Sequence, residues 1–299
     1  MTPVVVTLLL PVLLAAQPGL GPGQQTQTPA LLNVRDFGAK GDGKTDDTAA
    51  IQAAIDVLAS DGVARGQERP GILVFPSGTY CVSQTLNTSS QGNHLMGSGW
   101  GPNSDMNNPW YPVLSWVGPP GGTLLYVQDF HSGFRFENFY LQGNKQAGTL
   151  LHVHVRVHPT GSTHDPEISN VYFRGYTEYG LILGEATETE LGAGELSDVV
   201  CKHLNFNNDV FNATGLLINA QNMEVGTFYT LRFDNDAQGC AHPDNPCGDE
   251  CCHRNHIFHR AGRASIFSLT TTRAWDYAIH AWDTVNVHGW DSEDPLLYT

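Results

Sequence analysis

The recurrence of short extended segments after Thr123 most constrains what this chain can fold into. Phe134–Asn144 (FRFENFYLQGN), Ile168–Tyr176 (ISNVYFRGY), Cys201–Asp209 (CKHLNFNND) and Phe228–Asp236 (FYTLRFDND) share one pattern, alternating apolar positions followed by an Asn, Asp or Gly step. Aligned on Leu141, Phe173, Phe206 and Phe233, the steps are 32, 33 and 27 residues. Repeats of that size are stacked supersecondary units. One coil of short strands cannot bury its own inward side chains, whereas successive coils stack them into a column while the strands pair in parallel. Tyr179–Glu185 and Thr214–Asn222 read as second strands of the same units, and Ser265–Ala281 and Thr284–Glu293 as later ones. An antiparallel sandwich competes, but the period favours a parallel β-helix. Asn87 to Gly122, rich in Gly, Asn, Pro and Ser, reads as a long excursion carrying Trp100, Trp110 and Trp116 beside a groove.

Asn33–Asp56 (NVRDFGAKGDGKTDDTAAIQAAID) packs a strand, a glycine turn and a helix into one stretch. Thr45 or Asp46 caps the helix, and Asp46 and Asp47 place negative charge at its N-terminus. Ile51, Ala54, Ile55 and Leu58 give it one apolar face. This stretch, with ILVFPSGTY at Ile72–Tyr80, resembles the opening segment of the pectate-lyase-like superfamily, the glycoside hydrolase family 28-related proteins. The resemblance implies an all-β, right-handed parallel β-helix solenoid over residues 31–299, with an N-terminal capping α-helix closing its open end. It leaves activity open, because the same segment begins lyases, hydrolases, epimerases and phage tail proteins.

Thirty acidic against fifteen basic side chains give a formal charge of −15, which argues against a nucleic-acid partner. A polyanionic glycan would need a local Arg/Lys patch or bridging calcium, so the charge leans toward a neutral polysaccharide. Val4–Ala16 is an uncharged apolar run followed by a polar stretch to Pro29, although no Lys or Arg precedes it. Residues 1–17 read as a signal peptide and 18–30 as a linker, giving a secreted or cell-surface protein with no membrane segment after cleavage. Six cysteines in an exported chain predict disulfides. Cys240, Cys247, Cys251 and Cys252 cluster with His242, His253, His256 and His259. In a reducing compartment that cluster would suit zinc; export favours disulfides. Thr284–Glu293 reads as a coil in mid-run, so either the sequence is truncated or the uncapped end pairs with another copy as a homo-oligomer.

Asn207–Asp209 and Asp234–Asp236 fall at equivalent places about one coil apart. Carboxylates on adjacent coils come within reach of one glycosidic bond, which makes Asp209, Asp234 and Asp236 the catalytic candidates; the bland alternative is a ladder of turn residues. Calcium is the cofactor to expect if the protein is a lyase. The resemblance implies Asn-Thr-Asp, Asp-Asp, Gly-His-Gly and Arg-Ile-Lys motifs for a polygalacturonase, and here only Asn208-Asp209 and Val287-His288-Gly289 come near. His164-Asp165-Pro166-Glu167 is a scrambled form of the Asp-Pro-His-Glu site of mannuronan epimerases, and order decides which side chains face a groove. Late in the chain, His280, Trp282, His288 and Trp290, with Glu293, recur at two-residue spacing. That spacing predicts one outer face on which Trp282, Trp290, His288 and Glu293 hold sugar rings. The sequence thus reads as an exported polysaccharide-active β-helix protein, a glycoside hydrolase or polysaccharide lyase, with a non-catalytic glycan-binding or cell-surface module as the alternative.

Overall fold

The computed structural model describes residues 31–64, 71–88, 93–99, 110–128, 133–154, 163–190, 194–220, 222–223, 226–235, 253–260, 263–271 and 277–292. Its strands form a twelve-stranded, a seven-stranded and a three-stranded sheet. The chain alternates between the first two. Arg135–Gln142, Glu167–Arg174, Val199–Asn208 and Gly226–Asn235 belong to the long sheet, and Thr149–Val153, Tyr179–Gly184 and Ala213–Asn219 to the seven-stranded one. All these pairings are parallel, and the crossover rule makes the winding right-handed. This is the predicted β-helix. The register pairs Leu141 with Phe173, Phe173 with Phe206 and Phe206 with Phe233, the alignment read from the sequence. Inside the solenoid the rings of Phe173, Phe206 and Phe233 stack at 4.6 and 4.7 Å. Gly180 and Gly215 make room for that stack, because a Cβ at either would lie 2.8 Å from Phe206 Cδ1 or 2.6 Å from Phe233 Cε1.

Each long strand bends at one left-handed residue. Asn138, Asn170, His203, Thr230, Ser268 and Gly289 have φ between 53° and 76°. Their flanking residues pair from coil to coil, so the six form one column. Asn170 donates to Asn138 Oδ1 at 3.0 Å, the kind of local bond that makes this conformation tolerable for Asn. The bend divides each long strand into a first and a second limb, and with the seven-stranded sheet the coil has three faces.

At the N-terminal end the helix Thr48–Ala64 buries Ile51, Ala54, Ile55 and Leu58, as predicted. Burying each of the two Ile side chains and the Leu contributes about 1.5–3 kcal/mol, and the Ala methyl less than about 1 kcal/mol. The acidic pair before it is structural. Asp46 accepts from Thr48 N at 3.0 Å and from Ser83 Oγ at 2.6 Å, while buried Asp47 accepts from Lys40 N at 2.6 Å and Gly41 N at 3.0 Å.

Two expectations change. The stretch Asn87–Gly122 is not simply an excursion, since His94–Gly97 and Pro112–Trp116 are strands of the long sheet. Trp116 lies in the core, Trp110 is exposed, and Trp100 is outside the described residues. Cys81 and Cys201 are free and buried rather than disulfide-bonded. Cys201 points inward, paired in register with Ile168 and Phe228, so it fills an apolar position. The remaining four cysteines, the proposed signal peptide and the linker lie outside the described residues. No helix among the described residues is long and apolar enough to cross a membrane.

Candidate functional site

On the seven-stranded sheet Leu125, Leu151, Leu181, Leu216 and Ile257 face the core. The next residues form an outward column, Tyr126, His152, Ile182, Leu217, Phe258 and His280, paired from coil to coil. His154, Arg260 and Trp282 continue the backbone ladder two residues further, donating to Val127, Ile218 and His259 carbonyls. His154 and Trp282 therefore share one outward column. Four coil steps separate them, about 19 Å at the usual strand spacing.

At one end of this face His154 Nε2 lies 3.3 Å from Glu185 Oε1, with both side chains partly exposed. The His152 Nε2–H donates to the Gly184 carbonyl at 2.8 Å, which fixes its tautomer. Burial pushes His152 down to about 4, so it is neutral at pH 7. The Tyr126 ring sits 4.9 Å from His152 and 5.8 Å from His154, centroid to centroid. An imidazole held by a carboxylate and flanked by a phenol is an acid–base constellation. At the other end Arg260 lies over the Trp282 ring at 5.1 Å, and Trp282 is 64% exposed. Between the ends the segment from Glu185 to Glu190 folds back over the strands. Arg260 binds the Glu188 and Thr189 carbonyls, Arg254 pairs with Glu188, and Asn219 Nδ2 donates to Thr187 and Glu190 carbonyls. Burial, with Glu188 nearby, pushes Tyr179 up to about 12.

The residues singled out from sequence are dispersed. Asn207 pairs in register with Asp234, so the two Asn/Asp runs do occupy equivalent places, on the outer side of the second limb. Asp209 Oδ2 meets Lys145 Nζ at 3.3 Å and Arg174 Nη2 at 3.5 Å, and Asp234 is held by Arg232 at 2.5 Å. Asp236 and Glu293 lie outside the described residues. His288 is on the outer side of the first limb, stacked on Phe267 at 4.8 Å. Trp290 follows the left-handed Gly289, pairs in register with core residue Leu269 and donates to Thr271 Oγ1 at 3.0 Å. Trp282 belongs to the third face, so these three rings do not share a surface.

His253 is bonded to the Tyr176 hydroxyl inside the coil and His256 stacks on Phe233 at 5.1 Å. Among the described residues no group of three His, Cys, Asp or Glu side chains is gathered for a metal ion, calcium included. His164 is in the small sheet, Asp165 is an exposed left-handed turn, and Glu167 binds Lys202 at 2.8 Å and Arg135 at 3.6 Å. His152, His154, Tyr126 and Glu185 went unread in the sequence. The signal was there in the alternation HVHVRVH, His152 to His158, which sets His152 and His154 on one face.

Residues 31–110 match the family model described as rhamnogalacturonase A/epimerase, pectate lyase-like. The chain is 59% identical over 51 residues to alginate lyase 7 of Azotobacter vinelandii, covering 17% of this chain and 5% of that protein. It is 48% identical over 56 residues to a probable glucan endo-1,3-beta-glucosidase of Arthroderma benhamiae, covering 18% and 6%. The matched part is thus a small fraction of these relatives. Among solved structures, pre-mature bacteriophage phi29 gene product 12 superposes with a TM-score of 0.52 at 16% identity, over 87% of this chain and 32% of that one. That likeness concerns the fold.

Proposed function

We propose, from the match of residues 31–110 to the pectate lyase-like family model, that the chain is an exported protein acting on a polysaccharide at the outer face of its seven-stranded sheet. The observation that carries this reading is the His154–Glu185 pair beside Tyr126, in the column that also holds exposed Trp282. Two-carboxylate hydrolysis needs an acid and a base carboxyl flanking the bond. Here the carboxylate is engaged with an imidazole, which suits elimination from a uronate. His154 takes the C5 proton, that electron pair forms the C4–C5 double bond, the C4–O bond breaks, and the leaving oxygen takes a proton from the Tyr126 hydroxyl. Glu185 orients the imidazole and stabilises the imidazolium. Trp282 and Arg260 hold a further stretch of the polymer by stacking and charge. The matches to an alginate lyase and to a probable glucan endo-1,3-beta-glucosidase support a polysaccharide substrate. Asp209, Asp234 and Asp236 are the rival catalytic set.

The test is formation of unsaturated products from alginate, pectate and neutral glycans, followed by ultraviolet absorbance. His154→Gln and Glu185→Gln lose activity at least about 100-fold, in line with loss of a general base, while Asp209→Asn retains it. Retained activity in His154→Gln, or loss confined to Asp209→Asn, moves the chemistry to the other face. Exposed Trp282 also suits a non-catalytic glycan-binding module, which binding without product on any glycan would establish.

A further inference from the structure

The turn that presents Glu185 to His154 is gripped by buried polar side chains from the coils on either side of it. The strand Tyr179–Gly184 ends at Gly184, whose φ is 107°. A Cβ there would lie 2.0 Å from the carbonyl oxygen of Asn219, its register partner on the next coil, so the close approach requires glycine. From the preceding coil, buried His152 donates to the Gly184 carbonyl at 2.8 Å. From the following coil, fully buried Asn219 acts twice. Its carbonyl accepts from Glu185 N at 2.8 Å, and its Nδ2 donates to the Thr187 carbonyl at 2.6 Å and the Glu190 carbonyl at 2.9 Å. A side-chain amide has two N–H donors, and both are directed at this segment.

Burying an amide costs free energy unless it is bonded, and at Asn219 the bonds order the segment after the strand rather than the stacking of the coils. The backbone on both sides of Glu185 is thereby fixed, at the Gly184 carbonyl, at Glu185 N and at the Thr187 carbonyl. From that anchored position Glu185 Oε1 comes to 3.3 Å from His154 Nε2. Arg254 and Arg260 hold the farther part of the segment, at Glu188 and Thr189, so their grip on Glu185 is less direct. We infer that Asn219, together with His152, is a positioning residue for the His154 reaction: the two clamp Gly184 to Thr187 so that the Glu185 carboxylate meets the imidazole. The inference rests on the reading of His154 and Glu185 as the reacting pair.

A double-mutant cycle tests it, because a residue that acts through Glu185 loses its effect once the Glu185 side chain is gone. Turnover of the full chain on alginate, pectate and neutral glycans is compared for wild type, Asn219→Ala, His152→Phe and Glu185→Ala, and for the first two changes combined with Glu185→Ala. Alone, Asn219→Ala and His152→Phe each lower kcat about 10- to 100-fold and leave KM within about two-fold, as misplacing a catalytic group does. Combined with Glu185→Ala, neither lowers kcat further. His152→Phe keeps a ring against Tyr126 and removes only the donor, so the cycle can be completed even where Asn219→Ala does not fold. An unchanged kcat in His152→Phe, or a fall of equal size in both backgrounds, as a merely structural role gives, overturns this inference alone. No product from the wild type on any of these glycans, or retained activity in His154→Gln, overturns the catalytic reading and this inference with it.

Discussion

Acid should loosen the C-terminal coils through three histidines in the strand His253–His259. All three are fully buried. His253 Nε2 is bonded to the Tyr176 hydroxyl, whereas both ring nitrogens of His256 and of His259 lack a partner. The groups facing them are Tyr176 and Phe233 on neighbouring coils, with Asp283 partly opposing the shift at His259. Burial holds His253 at about 3 and His259 at about 4, and pushes His256 well below its ordinary value. The unfolded chain takes up these protons near pH 6.5, while the folded one resists to pH 3–4. The unfolded state therefore binds more protons in this window, and stability present above about pH 6.5 is lost as pH falls. From pH 7 to 5 each such histidine costs about 2 kcal/mol, and three cost about 6 kcal/mol, comparable to the whole stability of many domains. His256→Leu isolates the effect at nearly constant volume. It removes two unsatisfied nitrogens, so it is neutral or about 1 kcal/mol stabilising at pH 7, and gains about 2 kcal/mol more over wild type at pH 5. Urea unfolding followed by tryptophan fluorescence at pH 7, 6 and 5 reads this directly. A wild-type midpoint unchanged between pH 7 and 5, or a parallel decline in His256→Leu, refutes the reasoning.

Further outcomes follow from packing and charge. Thr230 holds φ 54° in the bend column, a conformation costly for a β-branched residue. Thr230→Asn should stabilise by about 1 kcal/mol, raising the melting midpoint by about 2–4 °C. Gly215→Ala places a methyl 2.6 Å from Phe233 Cε1 and should destabilise by about 1–3 kcal/mol in denaturant titration. Asp209→Asn leaves Lys145 and Arg174 without their shared carboxylate. Because Lys145 is half-exposed, the expected loss is only about 1 kcal/mol, smaller still in high salt.

The coil period and the cap were legible because each is written more than once. Leu141, Phe173, Phe206 and Phe233 repeat one inward position, and Ile51, Ala54, Ile55 and Leu58 one helix face. The bend was not legible. Its column reads Asn138, Asn170, His203, Thr230, Ser268 and Gly289, with little in common beyond small or polar character. Missing it matters at Gly289, where it breaks the two-residue alternation and sends Trp290 toward the core side while His288 faces out. The excursion drawn over Asn87–Gly122 had the same origin, since Gly and Pro there punctuate strands that pair only across coils. His154 was visible in HVHVRVH, yet its partner Glu185 follows the strand of the next coil and becomes a neighbour only once the register is known.

Thirty acidic side chains invite a two-carboxylate mechanism, and their surroundings argue against it in the described part of the chain. Asp42, Asp46 and Asp47 are held by backbone and hydroxyl donors around the cap. Glu167, Glu188, Asp209 and Asp234 meet Arg or Lys. A carboxylate committed to a guanidinium or ammonium is a poor proton donor to a leaving oxygen, because donating first requires protonation against that neighbour. Glu185 and Glu137 instead face imidazoles, and of these two pairs only His154–Glu185 has a tyrosine ring and a second histidine beside it. Imidazole chemistry on the seven-stranded sheet and carboxylate chemistry on the second limb thus make opposite demands on mutation. If His154→Gln is inactive while Asp234→Asn and Asp209→Asn turn over at near wild-type rate, the coil carries its acids for structure and its histidine for reaction.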